Sequence, residues 1–480
     1  MLGSGNVRAE TGPSLENSAG PCCNSTDDGT MKLLKVGIAG VRGIVGETLT
    51  PELAVDFASA FGTFLGRGRV LVGRDTRLSG PMLRAAAVSA LLAAGCDVTD
   101  LGICPTPVLQ FLVRALKARG GISITAGHNG AEWNALTFIN RDGTYLNEFQ
   151  GNEILDLYHL EEFAKAPNSG LGRLTIAPAE TSARYFKALA GFLNAGLIRR
   201  AGFKVVIDPC NGAGAGFVDE LCRTLGCELV PVNDQPTGFF PHDPEPRPRN
   251  AGEVASIAKI TSAQAGFLLN SDAGRLSCVA EDGETLSEEY AFPLIADHVL
   301  SRRRGTVVTN LSTSRMIEDV AARHGCPVVK ARVGQSHLIQ TLLAEDGVLA
   351  GEGSGSVALP AFQPAFDGFL MMGLILEAMA VRKKPLGELV QDLPKYHIVK
   401  EKVACPPSKV HSVVQAVQKL YKDRELILLD GVRAEDKDGW VHVRASATEP
   451  MIRIIVENKS RDKAQEETDK AAAFIAGLVS

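Results

Sequence analysis

No apolar stretch in this 480-residue chain approaches the ~20 residues that a membrane-spanning helix needs. AAAVSALLAAG, from Ala85 to Gly95, is among the longest, so a membrane partner is not expected. Dense Lys/Arg tracts are missing as well: 50 basic residues stand against 55 acidic ones for a net charge of −5. That balance argues against nucleic acid as a partner. C-x-x-C pairs are absent, and no histidine stands at zinc-ligand spacing around the ten cysteines, at 22, 23, 96, 104, 210, 222, 227, 278, 326 and 405. They read as mostly buried thiols of a reducing, cytoplasmic compartment. No G-x-x-x-x-G-K-[ST] occurs, which leaves a nucleoside triphosphate cradle unsupported. The first thirty residues lack the apolar run of a signal peptide and are rich in Gly and Ser. Residues 1–31 are therefore expected to be a disordered leader, with the fold beginning at about Lys32. The sequon Asn24-Ser25-Thr26 then carries no meaning.

What is present is the composition of an ordinary globular protein, 45% apolar and 22% charged, at a length fit for about three or four domains. From Lys32 onward, short β-branched runs alternate with helical stretches, the grammar of βαβ units. KVGIAGVRGIVG leads to PELAVDFASAFGTFLG, then RVLVG, GPMLRAAAVSALLAAG and CDVTDLG. The pattern returns in FKVVIDPCNGAGAGFVDELCRTLGCELVPV and again in TVVTNLSTSRMIEDVAARHGCPVVKARVG. Three related mixed-sheet α/β domains are expected, at 32–170, 171–285 and 286–395, followed by a small α+β domain at 396–480. NGAGAG at 211–216 sits between strand and helix, but its G-x-G-x-G spacing fits a tight turn better than a dinucleotide fingerprint.

Four loops carry the chemistry. GGISITAGHNG, residues 120–130, ends a strand in a small-residue turn that displays His128 and Asn129. Asn270-Ser271-Asp272-Ala273-Gly274-Arg275 follows the apolar strand AGFLL and sets alternate residues toward one hard cation. Gly351-Glu352-Gly353-Ser354-Gly355-Ser356 offers one carboxylate and hydroxyls suited to polyols. Arg444-Ala445-Ser446-Ala447-Thr448-Glu449-Pro450 with Arg453 can surround a dianion with guanidiniums, hydroxyls and backbone N–H groups.

With GVRGIVGE at 40–47, VGRDTRLSG at 72–80 and LGICPTP at 101–107, these loops resemble the α-D-phosphohexomutases, the phosphoglucomutase, phosphomannomutase and phosphoglucosamine mutase superfamily. The resemblance runs from about Lys32 to the C-terminus. It implies a four-domain, heart-shaped arrangement around a central cleft, with one loop from each domain, and a hexose phosphate as ligand. It also implies a phosphoserine that exchanges its phosphoryl group with the sugar, Mg²⁺ as cofactor, and a glucose 1,6-bisphosphate-type activator. Arg444, Ser446, Thr448 and Arg453 match the phosphate-binding positions, Glu352 and Ser354 the sugar-binding ones, and His337 a further cleft residue. Arg42, His128 and Asn129 match the neighbours of the catalytic serine. VGRDTRLSG, with Arg74, Asp75 and Arg77, reads as an ion-paired turn supporting the first loop.

The reacting centre departs from the pattern. Where the family reads T-A-S-H-N-P, this chain has Gly127 for the serine and Gly130 for the proline. Where it reads D-x-D-x-D-R, this chain has Asn270, Asp272 and Gly274, and Thr137 replaces an expected lysine. One aspartate is a poor substitute for three aspartates and a phosphoserine, so Mg²⁺ is expected to bind weakly or not at all. The leading expectation is a phosphosugar-binding protein whose phosphoserine chemistry is lost or strongly impaired, with a protein partner if its role is regulatory. The alternative is an active mutase using another acceptor, such as Thr125 or Ser123, or a soluble bisphosphate. The third reading is a structural role.

Overall fold

RVLVG places Val70, Leu71 and Val72 out of solvent on both faces, as a strand covered on each side by helices must be. In the computed structural model, which describes residues 34–446 and 450–479, this strand sits inside a seven-stranded sheet. The sheet order is Lys35–Gly37, Gly40–Ile44, Trp133–Asn140, Gly120–Ile124, Gly68–Arg74, Cys96–Ile103 and Leu174–Ile176. Gly68–Arg74 runs parallel to Gly120–Ile124 and to Cys96–Ile103, while Trp133–Asn140 returns antiparallel. Helix Pro51–Leu65 starts where the Thr50 side chain accepts from Leu53 N–H, with Pro51 in the first turn, where its missing N–H is harmless. The expected leader, Cys22, Cys23, the sequon and Thr448 lie outside the described residues.

One expected boundary moves. Leu174–Ile176 pairs parallel with Cys96–Ile103, so the first sheet continues past residue 170 before the chain enters the second domain. The second domain is a four-stranded sheet in the order Leu276–Val279, Ala265–Leu269, Lys204–Asp208, Glu228–Pro231. The third orders Val328–Ala331, Val307–Asn310, Leu349–Glu352, Ser356–Ala358. Both are mixed sheets, as expected. NGAGAG is a turn with a packing purpose: a Cβ on Gly212 would lie 2.6 Å from both Cα and O of Ser271, and Ala213 N–H donates to Ser271 O at 2.7 Å. The glycine lets this turn lie directly against the Asn270–Arg275 loop.

The first three domains share one apolar core. It runs from Leu71 and Leu109 through Tyr185 and Phe267 to Ile295 and Leu374. Helix Gly368–Arg382, buried along most of its length, is its centre. The fourth domain, a five-stranded antiparallel sheet in the order His397–Ala404, Met451–Asn458, Gly439–Ala445, Val432–Glu435, Glu425–Ile427, keeps a core of its own. Its last helix, Arg461–Val479, buries Ala464, Thr468, Ala471 and Ile475, a single stripe that leaves the charges in solvent as the sequence suggested. The fourth domain docks on the third through polar contacts. Arg433 Nη1 donates to Leu311 O at 2.5 Å, Arg315 N–H to Glu457 Oε1 at 2.9 Å, and Lys330 Nζ to Glu435 Oε1 at 2.6 Å. Eight cysteines fall in the described residues, all of them free thiols, seven buried and Cys227 half-buried. Among the described residues no helix is long and apolar enough to cross a membrane.

Candidate functional site

Gly120–Ile124 ends in a turn whose shape is set by hydrogen bonds from below. Asp75 and Arg77 form a fully buried ion pair. Arg77 Nη2 donates to the carbonyls of Gly127 at 3.2 Å and Asn129 at 2.5 Å, and Arg77 Nη1 donates to Ser271 Oγ at 2.9 Å. The VGRDTRLSG turn is thus the ion-paired support that the sequence suggested. Thr125 Oγ1 donates to Asp75 Oδ2 at 2.6 Å and accepts from Gly127 N–H at 3.0 Å. Held at both ends, Gly127 adopts φ +58°, a conformation that side-chain-bearing residues rarely take. Arg42 Nη1 reaches the turn from strand Gly40–Ile44 and donates to Asn129 Oδ1 at 2.7 Å.

The Asn270–Arg275 loop meets this turn face to face. Ser271 Oγ donates to Gly127 O at 2.6 Å, and Thr106 N–H to Asp272 O at 3.1 Å. A Cβ placed on Gly127 would stand 3.4 Å from Asp272 Oδ2 and 3.6 Å from Asn270 Nδ2. The residues expected at the reacting centre are therefore brought into one spot. So is a set of cations. Arg275, burial, Arg42, Arg247 and Arg453, in that order, hold the His128 imidazole well below its ordinary range, so it stays neutral at physiological pH. Arg247 carried no signal in the sequence, because EPRPRN lies in a loop without periodicity. Arg275 was visible only as the last letter of a motif.

The donor set does not fit a tight Mg²⁺ site. Asp272 is the single carboxylate of its loop, and its Oδ1 accepts from Gly274 N–H at 3.1 Å while Thr106 Oγ1 stands 3.4 Å from Oδ2. Asn270 Oδ1 accepts from Arg275 N–H at 3.0 Å, which turns the amide oxygen away, and Gly274 offers no side chain. Hard divalent cations want several unengaged oxygens, preferably charged. The hydroxyls named as alternative acceptors are both engaged in hydrogen bonds. Thr125 Oγ1 is bound to Asp75, and Ser123 Oγ shares a 2.8 Å hydrogen bond with Thr106 Oγ1; both residues are buried.

The third and fourth loops retain polar groups on rigid supports. Glu352, at the end of strand Leu349–Glu352, accepts from Asn310 Nδ2 at 2.8 Å and Ser354 Oγ at 2.5 Å. Gly355, at φ +77°, presses on Leu276, whose N–H donates to Gly355 O at 2.8 Å, so this loop is anchored to the second domain. Asn310 was missed by sequence reasoning, as its role depends on sheet neighbours 42 residues apart. Arg444 and Arg453 are directly opposed across the antiparallel pair Gly439–Ala445 and Met451–Asn458. Like charges so placed repel unless an anion lies between them. Arg444 Nε donates to Asp430 Oδ2 at 3.3 Å, which also accepts Val333 N–H at 3.0 Å from the third domain. Ser446 N–H donates to Met451 O at 2.9 Å. His337 is half-buried on helix Gln335–Ala344, lowered by burial and by Arg332, while Glu148 and Asp430 oppose that shift.

Comparison with known proteins decides what this arrangement is related to. Domain models described as phosphoglucomutase/phosphomannomutase domains I, II, III and the C-terminal domain match residues 33–165, 183–283, 287–396 and 399–474. The chain belongs to the phosphoglucomutase/phosphomannomutase family. A phosphoglucomutase/phosphomannomutase of Thermococcus kodakarensis is 38% identical over 440 residues, covering 90% of this chain and 96% of that one. A probable phosphoglucosamine mutase of Pyrococcus horikoshii is 33% identical, covering 92% and 98%. The crystal structure of a phosphoglucomutase/phosphomannomutase family protein from Burkholderia thailandensis superposes with a TM-score of 0.80 at 27% identity, covering 92% of this chain and 98% of that one. Against the pattern of this phosphohexomutase family, the departures at 127, 270 and 274 converge in space. Around them the first domain keeps Arg42, His128 and Asn129 and the second keeps Asp272 and Arg275, while the third and fourth keep Glu352, Ser354, Arg444 and Arg453.

Proposed function

We propose that this phosphohexomutase-family protein binds a hexose phosphate in its central cleft and does not use a phosphoserine. Arg444 and Arg453 hold the non-reacting phosphate, Glu352 and Ser354 hold sugar hydroxyls, and His337 lines the approach. The observation that carries the reading is Gly127. At the family's nucleophile position there is no hydroxyl, and the nearby hydroxyls of Thr125 and Ser123 are buried and hydrogen-bonded. A covalent route without its nucleophile loses several orders of magnitude in rate. Neutral His128 and Asn129 then serve as hydrogen-bonding groups rather than as partners of a reacting serine.

The test is a coupled mutase assay on the purified protein with glucose 1-phosphate, glucose 1,6-bisphosphate and Mg²⁺, beside calorimetric titration with hexose phosphates and intact mass spectrometry. Binding without turnover and without a stable phosphoryl adduct is expected. Interconversion at ordinary mutase rates overturns the reading in favour of an active mutase with another acceptor, and an adduct would show where it lies.

A further inference from the structure

Two glycines flank Glu352 in the third loop, and both rest on the start of one helix. A Cβ on Gly351 would overlap the Phe292 ring, and a Cβ on Gly353 would overlap the carboxylate of Glu289. Glu289 sits in the short turn Glu288–Tyr290 and Phe292 at the entry of helix Ala291–Leu300, so a close approach that only glycine permits fixes the loop on either side of Glu352. Gly353 N–H donates to Thr313 Oγ1 at 3.3 Å, and Ser314 N–H to Glu289 Oε2 at 3.4 Å. Glu289 is 6% exposed, and its other oxygen faces out of the domain: Oε1 accepts from Lys400 Nζ at 2.9 Å, on strand His397–Ala404 of the fourth domain. Lys400 also donates to Glu288 Oε1 at 3.3 Å. Burial pushes the Glu289 carboxyl up to about 7, with Lys400 opposing the rise and Glu288 and Glu457 adding to it. Lys400 is thus what keeps a charge on the group that the sugar loop leans against.

We infer that Glu289, through its ion pair with Lys400, is a positioning residue for the sugar-binding loop. Glu352 and Ser354 are aimed by the seat of Gly353 on that carboxylate. The fourth domain therefore acts on the sugar through a lysine, apart from supplying Arg444 and Arg453 for the phosphate. This deepens the proposed cleft binding and rests on it. Inorganic phosphate, which calls on Arg444 and Arg453 alone, does not feel the ion pair.

Calorimetric titration with glucose 1-phosphate, glucose 6-phosphate and inorganic phosphate tests it. Glu289→Gln and Lys400→Met are each expected to weaken hexose phosphate binding about fivefold or more, and the double variant no further than either alone. Inorganic phosphate should stay within about twofold of the parent, and Lys400→Arg, which keeps the charge, should retain most of the hexose phosphate affinity. Lys330→Met controls for the joint between the same two domains. It removes the 2.6 Å link to Glu435, which keeps Arg433 as a partner, on a strand separated from Leu349–Glu352 by another. It should leave hexose phosphate binding unchanged. Additive losses, an equal loss of inorganic phosphate, or a loss from Lys330→Met as large as that from Lys400→Met would each overturn the positioning role. So would unchanged hexose phosphate binding in Glu289→Gln and Lys400→Met. If no hexose phosphate binds the parent protein, the cleft reading itself fails, a result distinct from all of these.

Discussion

Restoring a side chain at residue 127 puts the reading of the first loop under direct strain. Gly127→Ser introduces a Cβ at ordinary contact distance, 3.4 Å from Asp272 Oδ2, so crowding contributes little. The cost lies in the backbone. At φ +58° an L residue loses about 1–2 kcal/mol relative to glycine. The loop cannot relax to recover it, because Gly127 O is held by Arg77 at 3.2 Å and Ser271 at 2.6 Å, and Gly127 N–H by Thr125 at 3.0 Å. With ~2–4 °C per kcal/mol for a unit of this size, the melting temperature should fall by about 2–8 °C. Gly127→Ala carries the same backbone cost without a hydroxyl and should fall equally; any difference between the two variants isolates what the hydroxyl gains from Asp272 or Asn270. Differential scanning calorimetry of the three proteins reads both quantities. The serine variant should also remain close to inert with Mg²⁺ and glucose 1,6-bisphosphate, since the metal donors are still missing. A variant as stable as the parent would refute the strain argument, and ordinary mutase turnover from this single change would refute the argument from the donor set.

Adding Asn270→Asp and Gly274→Asp to Gly127→Ser should create a protein that is less stable in EDTA and regains stability with Mg²⁺, because clustered carboxylates repel until a cation binds the folded form; a melting temperature indifferent to Mg²⁺ would count against it. His128 makes stability pH-dependent. With its folded pKa held below the ordinary 6.5 by Arg275, burial and the other arginines, the unfolded chain takes up a proton that the native state refuses. Stability is thus fully present above pH 6.5 and declines as pH falls below it. His128→Gln should flatten that decline in urea unfolding between neutral and mildly acidic pH, and parallel curves would contradict the assignment. Arg77→Met leaves Asp75 buried without its partner, so it should cost about 3–5 kcal/mol, and a loss below about 1 kcal/mol in urea unfolding would show that the pair is not the support described.

Much of this was legible in the sequence because it is written in local pattern. Alternating apolar runs and helical stretches gave three related mixed-sheet domains and a fourth with its own grammar, and the four chemistry-bearing loops fall at strand ends where such runs stop. Asp75 and Arg77 were readable as a support because two opposite charges beside a small-residue turn have few other uses. What escaped has no local signature. Leu174–Ile176 is three exposed residues whose strand character comes wholly from pairing with Cys96–Ile103. Arg247 and Asn310 gain their significance from neighbours supplied by other segments. The direction of the Asn270 amide is legible only once Arg275 N–H is seen to hold its oxygen.

The separate core of the fourth domain has a thermodynamic consequence. Three domains are fused through a shared apolar interior, whereas the fourth is fastened to the third by hydrogen bonds and ion pairs such as Arg433 to Leu311 and Lys330 to Glu435. Such a joint can open at modest cost while both bodies stay folded. The paired guanidiniums of Arg444 and Arg453 ride on the smaller body, and Asn270 belongs to the larger. A phosphosugar held by Arg444 and Arg453 on one side and by Glu352 of the larger body on the other would therefore bridge that joint, and its binding energy would be spent on holding the joint shut.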